Sequence, residues 1–169
     1  MGQSRPTIAL RPFLPADALT AAAIFEASIG ELAAEDYSDA QLAAWIASLD
    51  EEGLAERLAG QLALVASVGG EIAGFASLVE NRIIDMLYVH PEMARQGVAT
   101  ALVDALEKLA AARGASTLEV EASDTAEPFF RQRGYLPERR NTKVLGEEWL
   151  GNTAMRKSLS RQEPEDQSR

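Results

Sequence analysis

The stretch from Ile83 to Leu102 constrains this chain most, because an apolar strand there runs through a proline turn into a helix that opens on small residues. Ile83–Val89 is the strand-like run, His90-Pro91 breaks it, and the helix runs from about Gly97 to Arg113. Val98, Leu102, Leu106 and Leu109 stripe that helix, and Gly114 is placed to stop it. Free amides at a helix N-terminus point outward along a positive dipole, and Gly97 and Ala99 would let a phosphate approach the backbone, with Arg95 as a side-chain cation. The same small residues would equally serve close packing of helix on strand. No G-K-S/T follows, so the turn is not a Walker A loop, and G-x-G-x-x-G is missing, so it is not the dinucleotide fingerprint.

The elements around this stretch predict an α/β domain with one mixed sheet. Thr7–Arg11 reads as a strand ending at Pro12. Asp17 can then cap a helix with Ala18, Ala22, Phe25, Ile29 and Leu32 on one face. Ser38 and Gln41 have capping-box spacing before a second helix carrying Leu42, Trp45, Ile46 and Leu49, where Trp45 reads as core. Gly53–Gly60 is ambiguous. Gln61–Val68 and Glu71–Val79 flank Gly69-Gly70 as a hairpin, and Asn81-Arg82 turns into the strand Ile83–Val89. Thr117–Glu121 is a strand, Ala126–Arg133 a short helix, and Tyr135–Leu145 with Glu147–Arg156 a closing hairpin. The expected order is β-α-α-β-β-β-α-β-α-β-β. The expected organisation is a single domain over 1–158 and a flexible polar tail over 159–169.

Composition narrows the chemistry. The 169 residues include no cysteine and one histidine, His90, which excludes disulfide frameworks, thiolate metal sites, cysteine nucleophiles and multi-histidine metal centres. A serine–histidine pair is formally open, but no G-x-S-x-G elbow accompanies it. The net charge of −10 argues against non-specific nucleic-acid binding and anionic membranes. Between Phe13 and Gly60 there are ten acids and one base, Arg57, so nearly all of the net charge belongs to that segment. It reads either as solvated helix faces or as an acidic mouth that attracts a cationic amine. No apolar run reaches membrane-spanning length and the N-terminus lacks signal-peptide character, so the expectation is a cytoplasmic protein, monomer or homodimer.

Two separated blocks, in order, resemble the GNAT superfamily of N-acetyltransferases. Leu87-Tyr88-Val89-His90-Pro91 matches the family's strand end, and Ala94-Arg95-Gln96-Gly97-Val98-Ala99 its acetyl-CoA turn, Arg/Gln-x-x-Gly-x-Gly/Ala. The first turn position is Ala94, which removes one side-chain donor. Phe129-Phe130-Arg131-Gln132-Arg133-Gly134-Tyr135 matches the later F-Y-x-x-x-G-F/Y block, with Phe130 where relatives often carry the tyrosine that reprotonates CoA. The resemblance spans about Thr7 to Lys157 and implies a mostly antiparallel sheet with splayed central strands flanked by helices. It implies acetyl-CoA between Ile83–Val89 and Thr117–Glu121: pantetheine along Leu87, Tyr88 and Val89, pyrophosphate on the amides from Arg95 to Thr100, and Ser123 and Phe130 nearby. No metal is implied.

The absent cysteine excludes a cysteine acyl-enzyme, which makes direct transfer the economical mechanism, and the amine that the resemblance implies attacks only when neutral and so must lose a proton. Candidate bases are Glu121, Asp85, whose apolar neighbours could raise its pKa, and Glu119, with water or another group as the remaining options. The acid is Tyr37, Tyr88 or solvent. The acceptor pocket is expected between the first two helices and the closing hairpin, with Tyr37 as a wall and Asn152 near it. The implied function is N-acetylation of a cationic small amine or basic peptide. The alternative is a non-catalytic acyl-CoA sensor or protein-interaction domain.

Overall fold

The computed structural model describes residues 7–159. The polar tail assigned from the sequence lies outside them from residue 160 onward. Leu159, also assigned to that tail, instead donates its amide to the Ser116 carbonyl at 2.8 Å and packs on the core.

The chain runs β1 (Ile8–Pro12), α1 (Ala18–Ala27), α2 (Asp39–Ala47), α3 (Glu51–Ala59), β2 (Leu62–Val68), β3 (Glu71–Val79), β4 (Ile83–Val89), α4 (Val98–Ala112), β5 (Thr117–Ser123), α5 (Glu127–Gln132), β6 (Leu136–Leu145) and β7 (Glu148–Ser158). The ambiguous segment around Gly53 is thus a third helix, so the expected order lacked one element. Asp50 makes that helix, its carboxylate accepting from the Gly53 amide at 2.8 Å. The second helix starts as its spacing predicts, with Ser38 and Gln41 bonding each other's amides reciprocally.

Asp17 does not cap α1. Its carboxylate accepts from Arg11 and from the Leu14 amide, which ties the end of β1 to the helix entry. The predicted stripe of α1 holds at Ala18, Phe25 and Ile29, which are buried together with Ala21 and Ile24, whereas Leu32 is 37% exposed, at the end of a π turn over Ser28–Leu32.

Seven strands form one sheet in the order β1-β2-β3-β4-β5-β7-β6. All neighbours are antiparallel except β4 and β5, which are parallel and pair only at Ile83↔Glu119 and Ile84↔Val120. The cause of that early parting lies on β4. Opposite β3, Leu78 pairs with Ile84 and Ser77 with Met86, so Asp85 is an inserted residue, and such a bulge bends and twists its strand.

One core, including Leu102, Leu106, Leu118 and Phe130, lies under α4 and α5. The other, including Phe25, Leu54, Phe75 and Met86, lies under α1–α3. Gly74 brings α4 close to β3, since a Cβ there would come within 2.9 Å of the Tyr88 carbonyl oxygen and 3.1 Å of Val98 Cγ1. Among the described residues no helix is long and apolar enough to cross a membrane.

Candidate active site

Beyond Ile84 the gap between β4 and β5 opens into two cavities, of about 540 and 500 Å³, on the two sides of the V. Asp85, Tyr88, Glu121 and Ser123 line both, so the cavities meet there.

The cavity on the α4 side is built for an anion. The His90 amide donates to Ala73 on β3 at 2.8 Å. By strand alternation the Leu87 and Val89 backbone groups therefore face the opposite edge, into the gap. Arg95 (φ +64°) and Gly97 (φ +87°) both take left-handed backbone to turn the chain into α4. The first amide that α4 satisfies is Ala101, bonded to the Gly97 carbonyl at 2.9 Å. The amides of Val98, Ala99 and Thr100 are thus left at the dipole's positive end.

Ala94, Arg95, Gly97, Val98, Ala99 and Thr100 all line this cavity, and so do Leu87, Tyr88, Val89, Ser123 and Phe130. Gln96 does not; its side chain turns back to the Glu92 carbonyl at 3.4 Å, which removes it from the predicted lining. Ser123 Oγ accepts from the Ala126 amide, leaving its hydroxyl proton available. These features fit the pantetheine and diphosphate of coenzyme A: a strand edge for amide pairing, then outward N–H groups beside a residue without a side chain.

The second cavity lies between α1–α3 and the β5–β7–β6 sheet. Tyr37 and Asn152 both line it, but the Tyr37 hydroxyl is occupied, donating to the Gly151 carbonyl at 2.7 Å and accepting from the Asp124 amide at 2.9 Å. It is a bridge over the cleft rather than a free acid. Trp45, expected in the core, is an aromatic wall of both cavities, edge-on to Tyr37 and Tyr88 at 5.6 and 6.4 Å. Burial pushes the Tyr88 hydroxyl up to about 12, so it keeps its proton at neutral pH.

The candidate bases separate by their partners. Asp85 accepts from Arg57 at 2.7 and 2.8 Å and from Gln61 at 2.8 Å. Burial acts to raise its pKa, but those hydrogen bonds prevail and hold the carboxyl below its ordinary value. This is the reverse of the sequence expectation, and it makes Asp85 a poor proton acceptor. Glu119 is also held low, first by the Arg156 hydrogen bond, and meets Arg82 as well. Glu121 lines both cavities, is exposed, and enters none of the ion pairs among the described residues.

None of the ten acids between Phe13 and Gly60 lines either cavity, whereas Arg57 does. Nine of the ten are exposed and Asp17 is buried against Arg11, so the expected acidic mouth does not form the lining. Sequence reasoning also missed Arg57, Arg139 and Lys143 in the lining of the second cavity. The alternation of residues 139, 141 and 143 puts them on one strand face, but without register it does not say which face.

A model of the GNAT acetyltransferase domain matches residues 33–159. The chain is 37% identical over 149 residues to the uncharacterized N-acetyltransferase YafP of Escherichia coli K12, covering 88% of this chain and 95% of that protein. Among solved structures it is similar to a GCN5-related N-acetyltransferase from Rhodopseudomonas palustris, with 55% identity, TM-score 0.88, and 94% and 99% of the two chains covered. The PaiA N-acetyltransferase of Thermoplasma acidophilum, solved with coenzyme A, shares the fold at TM-score 0.75 and 19% identity, over 90% and 99% of the chains.

Proposed function

The chain belongs to the GNAT acetyltransferases, and from that premise we propose that it transfers an acetyl group from acetyl-CoA directly to a primary amine, with Glu121 taking the amine's proton. The observation that carries this reading is Glu121 itself, an unpaired carboxylate where the cofactor-side and acceptor-side cavities meet. Bound on the α4 side, acetyl-CoA supplies the activated acetyl thioester.

The chain's own groups do the rest. The amides of Val98, Ala99 and Thr100 hold the diphosphate, and the Leu87 and Val89 backbone aligns the pantetheine. An amide on the splayed strand near Leu87 is in place to stabilise charge on the carbonyl oxygen. The acceptor reaches the cavity as an ammonium ion, so the cation it presents is the group that must lose a proton. Glu121 pairs with that cation and then accepts the proton. Tyr88, which keeps its own proton, is a hydrogen-bond donor at the junction and does not take over proton delivery from the tyrosine that Phe130 replaces. With a pKa far above that of an ordinary thiol, about 8.5, it holds its hydrogen rather than surrendering it, and solvent returns the proton to sulfur.

The test follows free CoA release over a panel of amino acids, polyamines, aminoglycosides and peptides. Glu121→Gln is expected to lower kcat by about 10²–10⁴-fold, the usual range for a positioned base, with acetyl-CoA affinity unchanged. Tight acetyl-CoA binding with no amine turned over would instead indicate a sensor. Gly97→Glu places a carboxylate at the cradle and should abolish acetyl-CoA binding; retained affinity would mean that the diphosphate lies elsewhere.

A further inference from the structure

The acceptor-side cavity carries four acids and four bases, and pairing removes most of them. Asp85 is spent on Arg57, Glu119 on Arg82 and Arg156, and Glu138 on Arg156. Among the described residues, the acid left outside any ion pair is Glu121 and the bases left outside any ion pair are Arg139 and Lys143, whose charges also act on Glu119 and Asp85 respectively.

The sheet register fixes how Glu121 and Arg139 stand. Ala154 on β7 pairs with Glu121 on one side and with Arg139 on the other. Residues directly opposite in antiparallel strands share a face. Glu121, Ala154 and Arg139 therefore form one row across three strands, with the methyl group of Ala154 as a low floor between two long charged side chains.

The next row is Ser123, Asn152 and Asn141. Asn141 Oδ1 accepts from Arg139 Nε at 3.3 Å, which steadies the guanidinium and leaves both of its terminal nitrogens free. Asn152 Oδ1 is buried with no hydrogen-bond partner, an orphan acceptor beside the row that a substrate N–H would satisfy. In the row beyond, Lys143 faces Leu150 and forms no ion pair among the described residues.

We infer that the acceptor is an amine that also carries a carboxylate, an amino acid, bound across this row with its ammonium group at Glu121 and Asn152 and its carboxylate at Arg139 and Lys143. This rests on the acetyltransfer reading and names its substrate class. The row spans two strand spacings, roughly 10 Å between Cα atoms. One unpaired carboxylate and unpaired cations rising from the same face suit a ligand that carries one ammonium and one carboxylate, and not a polycation. The further ammonium groups of a polyamine meet no other unpaired carboxylate in the lining.

The experiment compares matched pairs, free amino acids against their carboxamides, with spermidine and a lysine-rich peptide as polycations. Initial rates are measured on the wild type, Arg139→Gln and Arg139→Lys. At least one amino acid is expected to exceed its carboxamide in kcat/KM by tenfold or more. Arg139→Gln should raise KM for that acid at least tenfold while leaving kcat and the KM for acetyl-CoA unchanged, and Arg139→Lys should restore part of the loss. Calorimetry of the same acid on the CoA-loaded protein should show the matching loss of affinity.

A carboxamide that equals or beats its acid overturns the inference, as does an Arg139→Gln enzyme with unaltered KM for the acid. Turnover of spermidine with every amino acid inert overturns it while leaving the acetyltransfer reading intact. If no amine of any class is acetylated although acetyl-CoA binds, the acetyltransfer reading fails and the inference fails with it.

Discussion

Glu121 differs from the other carboxylates of the cleft in what does not touch it, and that difference can be tested residue by residue. Asp85 is the contrasting case, a carboxylate whose oxygens are both engaged. Asp85→Asn should cost about 1–2 kcal/mol in denaturant unfolding at pH 7, a charged hydrogen-bonded pair discounted for its partial exposure. Because the folded pKa of Asp85 is depressed, this contribution is fully present above the ordinary aspartate value, about 3.9, and fades as pH falls through the lower folded value. Wild type and variant should therefore converge in acid. A gap that persisted there would remove the pair as its cause. Asn152→Ala should raise KM for the acceptor and leave KM for acetyl-CoA unchanged, since its orphan oxygen lies in the acceptor-side lining. The sequence makes Glu121 and Asp85 visible as carboxylates on converging strands. Arg57 and Gln61, which decide between them, come from α3 and the turn after it, more than twenty positions away from Asp85.

At the scale of elements, three local departures from regular geometry build the cleft. The bulge at Asp85 parts β4 from β5, the π turn at Ser28–Leu32 brings Ser28, Ile29 and Leu32 to the cofactor-side cavity, and Gly74 seats the first turn of α4. Gly74→Ala should push that turn outward, raising KM for acetyl-CoA and costing about 1–3 kcal/mol of stability as overpacking does. An unchanged KM would show that α4 is set by other contacts. The Tyr37 bridge joins the segment before α2 to the β5–α5 turn and to β7. Tyr37→Phe leaves the Asp124 amide and the Gly151 carbonyl without that partner and should cost about 1–3 kcal/mol, read by thermal unfolding. Capping residues made α2 readable in advance, and paired glycines marked the β2–β3 turn. The bulge and the π turn had no such signal, because each is one extra residue accommodated by neighbours from elsewhere in the chain.

For the whole molecule, the proposed cradle links cofactor binding to folding through α4, whose outward amides exist only in the folded state. Acetyl-CoA at about 100 times its Kd should stabilise the protein by about 2.7 kcal/mol. For a chain of this size that raises Tm by roughly 5–10 °C. Gly97→Glu should show no shift, and a full shift in that variant would relocate the cradle. The net charge of −10 also acts at this scale. Its concentration between Phe13 and Gly60 belongs to exposed positions on the helices and their connections, Asp17 excepted, and none of those acids lines a cavity. By itself the sequence determined the α/β class of fold, the turn into a helix at Gly97, the exclusion of a cysteine relay and a short set of carboxylates that includes Glu121. These follow from local periodicity, turn chemistry and residue inventory, which need no partner strand. Only the tertiary structure decided which carboxylates are spent, that the acids of the acidic segment line neither cavity, and that Glu121, Ala154 and Arg139 share a row. The reason is that ion pairing and strand register join residues distant in the chain, and a one-residue change of register would send Arg139 to the opposite face.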